Sequence, residues 1–148
     1  MECYEKTLGS EHPDTLKSIN RLADLLSDTG DYGEAEILYR HVLKCREDAL
    51  GPEHLDTLKS INNLGRLFSK KGDHEGAARL CRNVLEHYEK VLGAEHPDTL
   101  SCLNDLGVRL RNIGEHDEAE AHCSRALEGR EKILGPDHSH TLIALNNL

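Results

Sequence analysis

LGPEHLDTL, residues 50–58, packs the end of one helix, a turn and the start of the next into nine residues. Gly51 suits a left-handed position just past a helix end, which a residue with a β-carbon occupies only at a cost. Asp56 lies where a negative charge meets the positive end of a new helix dipole. The same pattern stands as LGSEHPDTL from Leu8, LGAEHPDTL from Leu92 and LGPDHSHTL from Leu134. These starts are spaced by 42 residues without insertion or deletion. An enzyme site rarely recurs four times in so short a chain, whereas a structural joint does.

The proline at 13 or 97 fits a first helical turn, and that at 52 or 136 fits the turn after a helix end. Between joints, DTLKSINNLGRLFSKKG places Leu58, Ile61, Leu64, Leu67 and Phe68 on one stripe of an amphipathic helix. Lys70, Lys71 and Gly72 end that helix, and Asp73 caps the next. Its own stripe is Ala77, Leu80, Cys81, Val84, Leu85, Tyr88 and Leu92. Each period therefore reads helix, tight turn, helix, joint. A lone pair of this kind cannot bury both faces, but stacked neighbours can, which predicts an all-α solenoid.

Composition agrees. The chain has 148 residues, no tryptophan and one phenylalanine, so its core is aliphatic. Its net charge of −9 argues against nucleic acid or an anionic membrane as a partner. No apolar run reaches the roughly 20 residues of a membrane span. The five cysteines include no CxxC pair, and Cys3/Cys45 and Cys81/Cys123 follow the 42-residue period. They read as reduced thiols of a cytoplasmic protein.

These positions resemble the tetratricopeptide repeat in the 42-residue form of kinesin light chains and nephrocystin-type proteins. Its small first-helix residue matches Ala23, Gly65 and Gly107, preceded by Leu22, Leu64 and Leu106 and followed by Leu26, Phe68 and Leu110. Its small second-helix residue matches Ala35, Ala77 and Ala119, and its large apolar partner matches Tyr39, then the smaller Cys81 and Cys123. Val42, Val84 and Ala126 take the next packing position. Ile19, Ile61 and Leu103 stand where the family's usual tryptophan would be. The resemblance implies a right-handed superhelical solenoid of antiparallel helix pairs. Repeats run over 8–49, 50–91 and 92–133, with partial repeats at 1–7 and 134–148. Met1 aligns with Leu43 and Leu148 with Leu22, so the chain reads as cut from a longer array, with frayed ends or end-to-end self-association expected.

No phosphate loop, HExxH motif or nucleophile constellation stands out, so no catalytic residue, metal or other cofactor is expected. His12, His54, His96 and His138 read as turn-forming residues, and His138 with His140 makes at best half a metal site. Cys81 and Cys123 read as core thiols.

The resemblance implies that first helices line a concave groove. There an asparagine ladder, Asn20, Asn62, Asn104 and Asn146 with Asn63 and Asn147 beside it, offers both donors and acceptors to an extended peptide. The competing reading is that the ladder bridges neighbouring repeats. Helix 55–71 sums to +3, while segments 31–49, 73–91 and 115–133 sum to −2, −1 and −3. Lys17, Arg21, Lys59, Arg66, Lys70 and Arg111 thus read either as a basic groove for an acidic peptide or as ordinary solvation. Leu67 or Val108 would add an apolar anchor pocket. The expected function is a non-catalytic adaptor or scaffold module, with kinesin-light-chain cargo recognition as nearest analogue. The alternatives are a regulatory or sensor arm of a larger protein and a self-stacking structural array.

Overall fold

The computed structural model describes residues 12–147. Leu8 to Glu11 of the first joint, the partial repeat 1–7, Cys3 and Leu148 lie outside them. The described residues hold seven helices and no strand: α1 Pro13–Thr29, α2 Tyr32–Leu50, α3 Leu55–Lys71, α4 His74–Val91, α5 Pro97–Asn112, α6 His116–Leu134 and α7 Ser139–Asn146. The chain divides into two compact units, residues 1–71 and 72–148. In the first, α2 packs against α1 and α3; in the second, α5 packs against α4 and α6, and α7 against α6.

The core of each unit is the aliphatic stripe read from the sequence. Ile19, Ala23, Ala35, Tyr39, Val42, Leu58 and Leu67 are buried in the first unit. Ala77, Cys81, Val84, Leu103, Leu106, Leu110, Ala119, Cys123 and Ala126 are buried in the second. The small residues matter by contact as well as size. A β-carbon on Gly107 would stand 2.3 Å from Cys123 Sγ and 3.0 Å from the Ala119 carbonyl oxygen, so α5 and α6 touch through the glycine.

The joint explains nearly every letter of its motif. His12, His54, His96 and His138 each turn Nδ1 back to accept the amide proton two residues on, at 3.1–3.2 Å. At positions 12, 96 and 138 the histidine is the N-cap, with extended backbone. An imidazole here performs the task usually given to Ser, Asp or Asn, satisfying an otherwise orphaned helix-start donor. Thr57 and Thr141 donate their hydroxyls to the carbonyls of Gly51 and Gly135, both at 2.8 Å. Pro13 and Pro97 occupy the first turn, where no amide donor is needed. Asp73 caps α4 by accepting from the Gly76 amide at 2.8 Å.

One expectation is corrected. Gly30, in the two-residue turn between α1 and α2, is left-handed at φ 93°, ψ 1°, but Gly51 has φ 92°, ψ 163°. The next residue is Pro52, whose ring excludes helical ψ values from the residue before it. A positive φ with extended ψ is essentially a glycine-only conformation. No atom lies within 4 Å of a β-carbon built there, so a substitution meets backbone strain alone. Gly51→Ala is therefore expected to lower unfolding free energy by about 1–3 kcal/mol, read as a shifted denaturation midpoint. An unchanged midpoint would contradict the strained conformation.

Candidate peptide-binding surface

Periodicity puts Lys17, Asn20, Arg21, Asp24 and Asp28 on one stripe of α1, and Lys59, Asn62, Asn63, Arg66 and Lys70 on one stripe of α3. The structure brings the two stripes side by side. Arg66 Nη2 meets Asp24 Oδ1 at 2.9 Å, and Lys70 Nζ meets Asp28 Oδ1 at 2.6 Å. Both pairs join residues 42 apart, so equivalent repeat positions face one another. Asp24 Oδ1 also accepts the Tyr39 hydroxyl at 2.6 Å. Burial first, and that hydrogen bond second, push the phenol well above its ordinary pKa.

This changes the electrostatic reading of the stripe. Arg66 and Lys70 are already matched by carboxylates, and Lys17 is matched by Asp14 at 3.2 Å. Arg21 and Lys59 remain exposed and make no ion pair among the described residues. Lys71 and Arg40 converge on Glu36, at 2.6 and 2.8 Å, and both cations lie within 6 Å of the Phe68 ring centre. The first unit thus presents a stripe of mixed charge, with two uncommitted cations.

Its asparagines are more telling. Asn20 and Asn62 are half-buried, and each side-chain oxygen is fully covered without a hydrogen bond among the described residues. Asn63 beside them is half-buried and Lys59 exposed. In the second unit the corresponding rung is closed. Asn147 Nδ2 donates to Asn104 Oδ1 at 3.0 Å, and Arg111 donates to the Asn147 carbonyl. Asn104 and Arg111 thereby bridge α5 to the end of α7, as the competing reading had it. Val108 is half-buried and Asn146 exposed. Leu67 is 0% exposed, so it is core and offers no pocket.

Open apolar depressions lie instead at the joints, where sequence reasoning did not look. One of about 210 Å³ is lined by Pro13, Leu16, Ala49 and Leu50 beside Arg46, and one of about 180 Å³ by the positions 84 residues on, Pro97, Leu100, Ile133 and Leu134 beside Arg130. Each arginine donates to a backbone carbonyl of the following joint, Arg46 to Asp56 at 3.0 Å and Arg130 to His140 at 2.9 Å. On the second helices of the second unit, Arg82 binds Glu118 at 2.7 Å and Arg125 binds Glu89 at 2.6 Å. No group of three or more His, Cys, Asp or Glu side chains among the described residues is placed to hold a metal ion.

A tetratricopeptide-repeat model matches residues 1–48 and 19–80, jointly more than half of the chain, and a second matches 99–140. The chain belongs to the tetratricopeptide-repeat family. No curated protein sequence matches it. Two solved structures of the nearly identical TPR-like repeats of a chain designated a kinesin light chain, from Podosopora anserina, are 28% identical to it. They superpose with TM-scores of 0.82 and 0.80 over 99% of this chain, covering 69% and 70% of theirs. BtubC (BKLC) from P. vanneervenii shares the fold at 22% identity and TM-score 0.80, over 99% of this chain and 57% of its own. The repeats are thus of the kinesin-light-chain type, an all-α solenoid class, and the tetratricopeptide-repeat chain is a protein–protein interaction module. No helix among the described residues is long and apolar enough to cross a membrane.

The ion pairs carry a pH signature. Hydrogen bonds from Lys71 and then Arg40 hold the Glu36 carboxyl below its ordinary value, and those from Lys70 and Arg82 do the same for Asp28 and Glu118. A depressed folded-state pKa stabilises the protein above the unfolded carboxylate value of roughly 4, and that stabilisation is lost as pH falls through the folded value. Thermal melts are expected to show stability declining below about pH 5, less steeply in Lys71→Met. Identical acid slopes in wild type and Lys71→Met would remove Glu36 from the account.

Proposed function

We propose that the paired stripes of α1 and α3 hold an extended peptide segment of another protein, the asparagines reading its backbone and Arg21 and Lys59 meeting its acidic side chains. The observation that supports this reading is that Asn20 and Asn62 stand on facing stripes with side-chain oxygens that make no hydrogen bond among the described residues. Both oxygens are covered in the free chain, so the peptide N–H is met by an amide that turns outward on binding, whatever the side chain beside that N–H. The amide group also offers its own N–H to a peptide carbonyl, so one asparagine can hold both backbone groups of a residue. In the second unit the Asn104 oxygen is already bonded to Asn147, so the first unit is the receptive one. Charge adds selectivity: a carboxylate orients against the planar guanidinium of Arg21 more tightly than against the Lys59 ammonium. The module is then a non-catalytic adaptor, and the kinesin light chain of the related structures is its nearest analogue in architecture.

Anisotropy of labelled acidic peptides, with neutral counterparts of the same backbone, tests the reading. Saturable binding is expected, weakened about tenfold or more by Asn20→Ala with Asn62→Ala, each lost hydrogen bond being worth roughly 1 kcal/mol. Arg21→Glu is expected to erase the preference for acidic over neutral peptide. Full affinity in the double asparagine variant would overturn the reading. So would absence of binding together with self-association through α7, where Leu142, Ile143 and Leu145 are half exposed.

A further inference from the structure

Cys81 lies in the middle of α4 and Cys102 in the first half of α5, 1% and 2% exposed. Their sulfur atoms are 3.4 Å apart. Each thiol also lies against the other residue's backbone carbonyl, Cys81 Sγ at 3.5 Å from Cys102 O and Cys102 Sγ at 3.6 Å from Cys81 O. This reciprocal arrangement brings two helices close enough for the thiols to meet end to end. We propose that Cys81 and Cys102 are a dithiol that a hydroperoxide converts into an intrachain disulfide joining α4 to α5.

The geometry is that of a poised reaction. Reacting atoms about 3–3.5 Å apart are near the distance of attack, and closing to the roughly 2.05 Å of a disulfide requires an approach of about 1.4 Å shared between two helices. The two groups also divide the chemistry. The Cys102 thiol hydrogen-bonds Cys81 and so lowers the Cys81 pKa, helped by the Arg109 guanidinium, while Cys102 is raised by that same bond and by burial. Cys81 is therefore the more readily deprotonated of the two and Cys102 the resolving thiol. In the first step Cys81 sulfur attacks a peroxide oxygen. An S–O bond forms, the O–O bond breaks, and the departing alkoxide or hydroxide takes up a proton, leaving a sulfenic acid on Cys81. In the second step Cys102 sulfur attacks Cys81 sulfur. The S–S bond forms, the S–O bond breaks, and hydroxide leaves as water with the Cys102 proton. The two thiols lose two electrons and the peroxide gains them.

The other described cysteines, Cys123 and Cys45, lack this arrangement. Cys123 is buried against the Gly107 backbone, and burial raises its pKa. Cys45 is half-buried with His41 Nε2 at 3.8 Å from its sulfur. A disulfide at 81 and 102 fixes α5 to the second helix of the preceding repeat, two residues before Asn104.

The test treats the whole chain with hydrogen peroxide near neutral pH, alkylates remaining thiols under denaturing conditions and maps the peptides. The expected result is a Cys81–Cys102 linked peptide with Cys3, Cys45 and Cys123 alkylated, an intact mass lower by about 2 Da before alkylation, and full reversal by dithiothreitol. The melting temperature of the oxidised protein is expected to rise by roughly 5 °C or more. Cys102→Ser, with Cys102→Ala as a second variant should the first not fold, leaves sulfenic acid on Cys81 for dimedone to trap. Oxidation confined to Cys3 or Cys45, or recovery of both Cys81 and Cys102 in alkylated form after peroxide treatment, overturns the proposal.

Discussion

The exit from each second helix is tied to the entry of the next first helix within a few residues, and the rest of the structure depends on that tie. Gly51 lets the chain leave α2 in a conformation closed to other residues, Pro52 holds it extended, and the Thr57 hydroxyl closes back on the Gly51 carbonyl. His54 meanwhile accepts the Asp56 amide and satisfies the start of α3. Four residues of the joint thus each meet a separate backbone requirement. The histidine cap recurs at every described joint, while the threonine closure is made at Thr57 and Thr141 but not at Thr99. In the first unit the joint sets residues 42 apart on equivalent faces, and the pairs Asp24–Arg66 and Asp28–Lys70 follow from it.

Those pairs show how a chain of net charge −9 sets the chemistry of a local surface. Exposed ion pairs contribute little to stability, about 0–1 kcal/mol each, so their main consequence is positional. They hold Arg66 and Lys70 against α1 and withdraw them from any ligand. Tyr39 strengthens this by sharing Asp24 Oδ1 with Arg66 from beneath. What remains available on the stripe is then the amide chemistry of Asn20 and Asn62 and the two outlying cations. A surface that looks basic in a residue count is, side chain by side chain, mostly neutralised and rich in amide groups.

Features governed by local spacing were legible in the sequence: the helix stripes, the joint, the small residues at 23, 35, 77, 107 and 119, and the cap at Asp73. Their causes act within one turn or recur at each period. Others were not, because they depend on how side chains reach across helices. The left-handed cap expected at Gly51 failed on a nearest-neighbour effect, the following proline. Leu67 read both as a member of the apolar stripe and as an anchor pocket, and it is fully buried in the core. The bridging of Asn104 by Asn147 was one of two readings left open, and only the approach of α7 decides it. Arg46 and Arg130 gave no signal, since their partners are backbone carbonyls that no residue pattern marks.

The thinning of one core position connects packing to chemistry. Tyr39 fills its site in the first repeat and spends its hydroxyl on Asp24, with Ala23 as the small residue of the facing helix. At the third repeat the tyrosine is Cys123 and the alanine is Gly107, so both sides of the contact shrink together and the helices close until sulfur rests on backbone. Volume is conserved by approach rather than by side-chain size, which suits interiors that tolerate few voids. The second repeat follows the same reduction at Cys81, but there the space is met from α5 by another cysteine. Two thiols in a dry contact cannot hydrogen-bond as a tyrosine does with a carboxylate, and their only strong mutual interaction is covalent. Gly65 and Gly107 hold the same small position in both repeats, so the difference lies in the first helix that follows, where Cys102 meets Cys81 and the residue 42 positions on is Ala144.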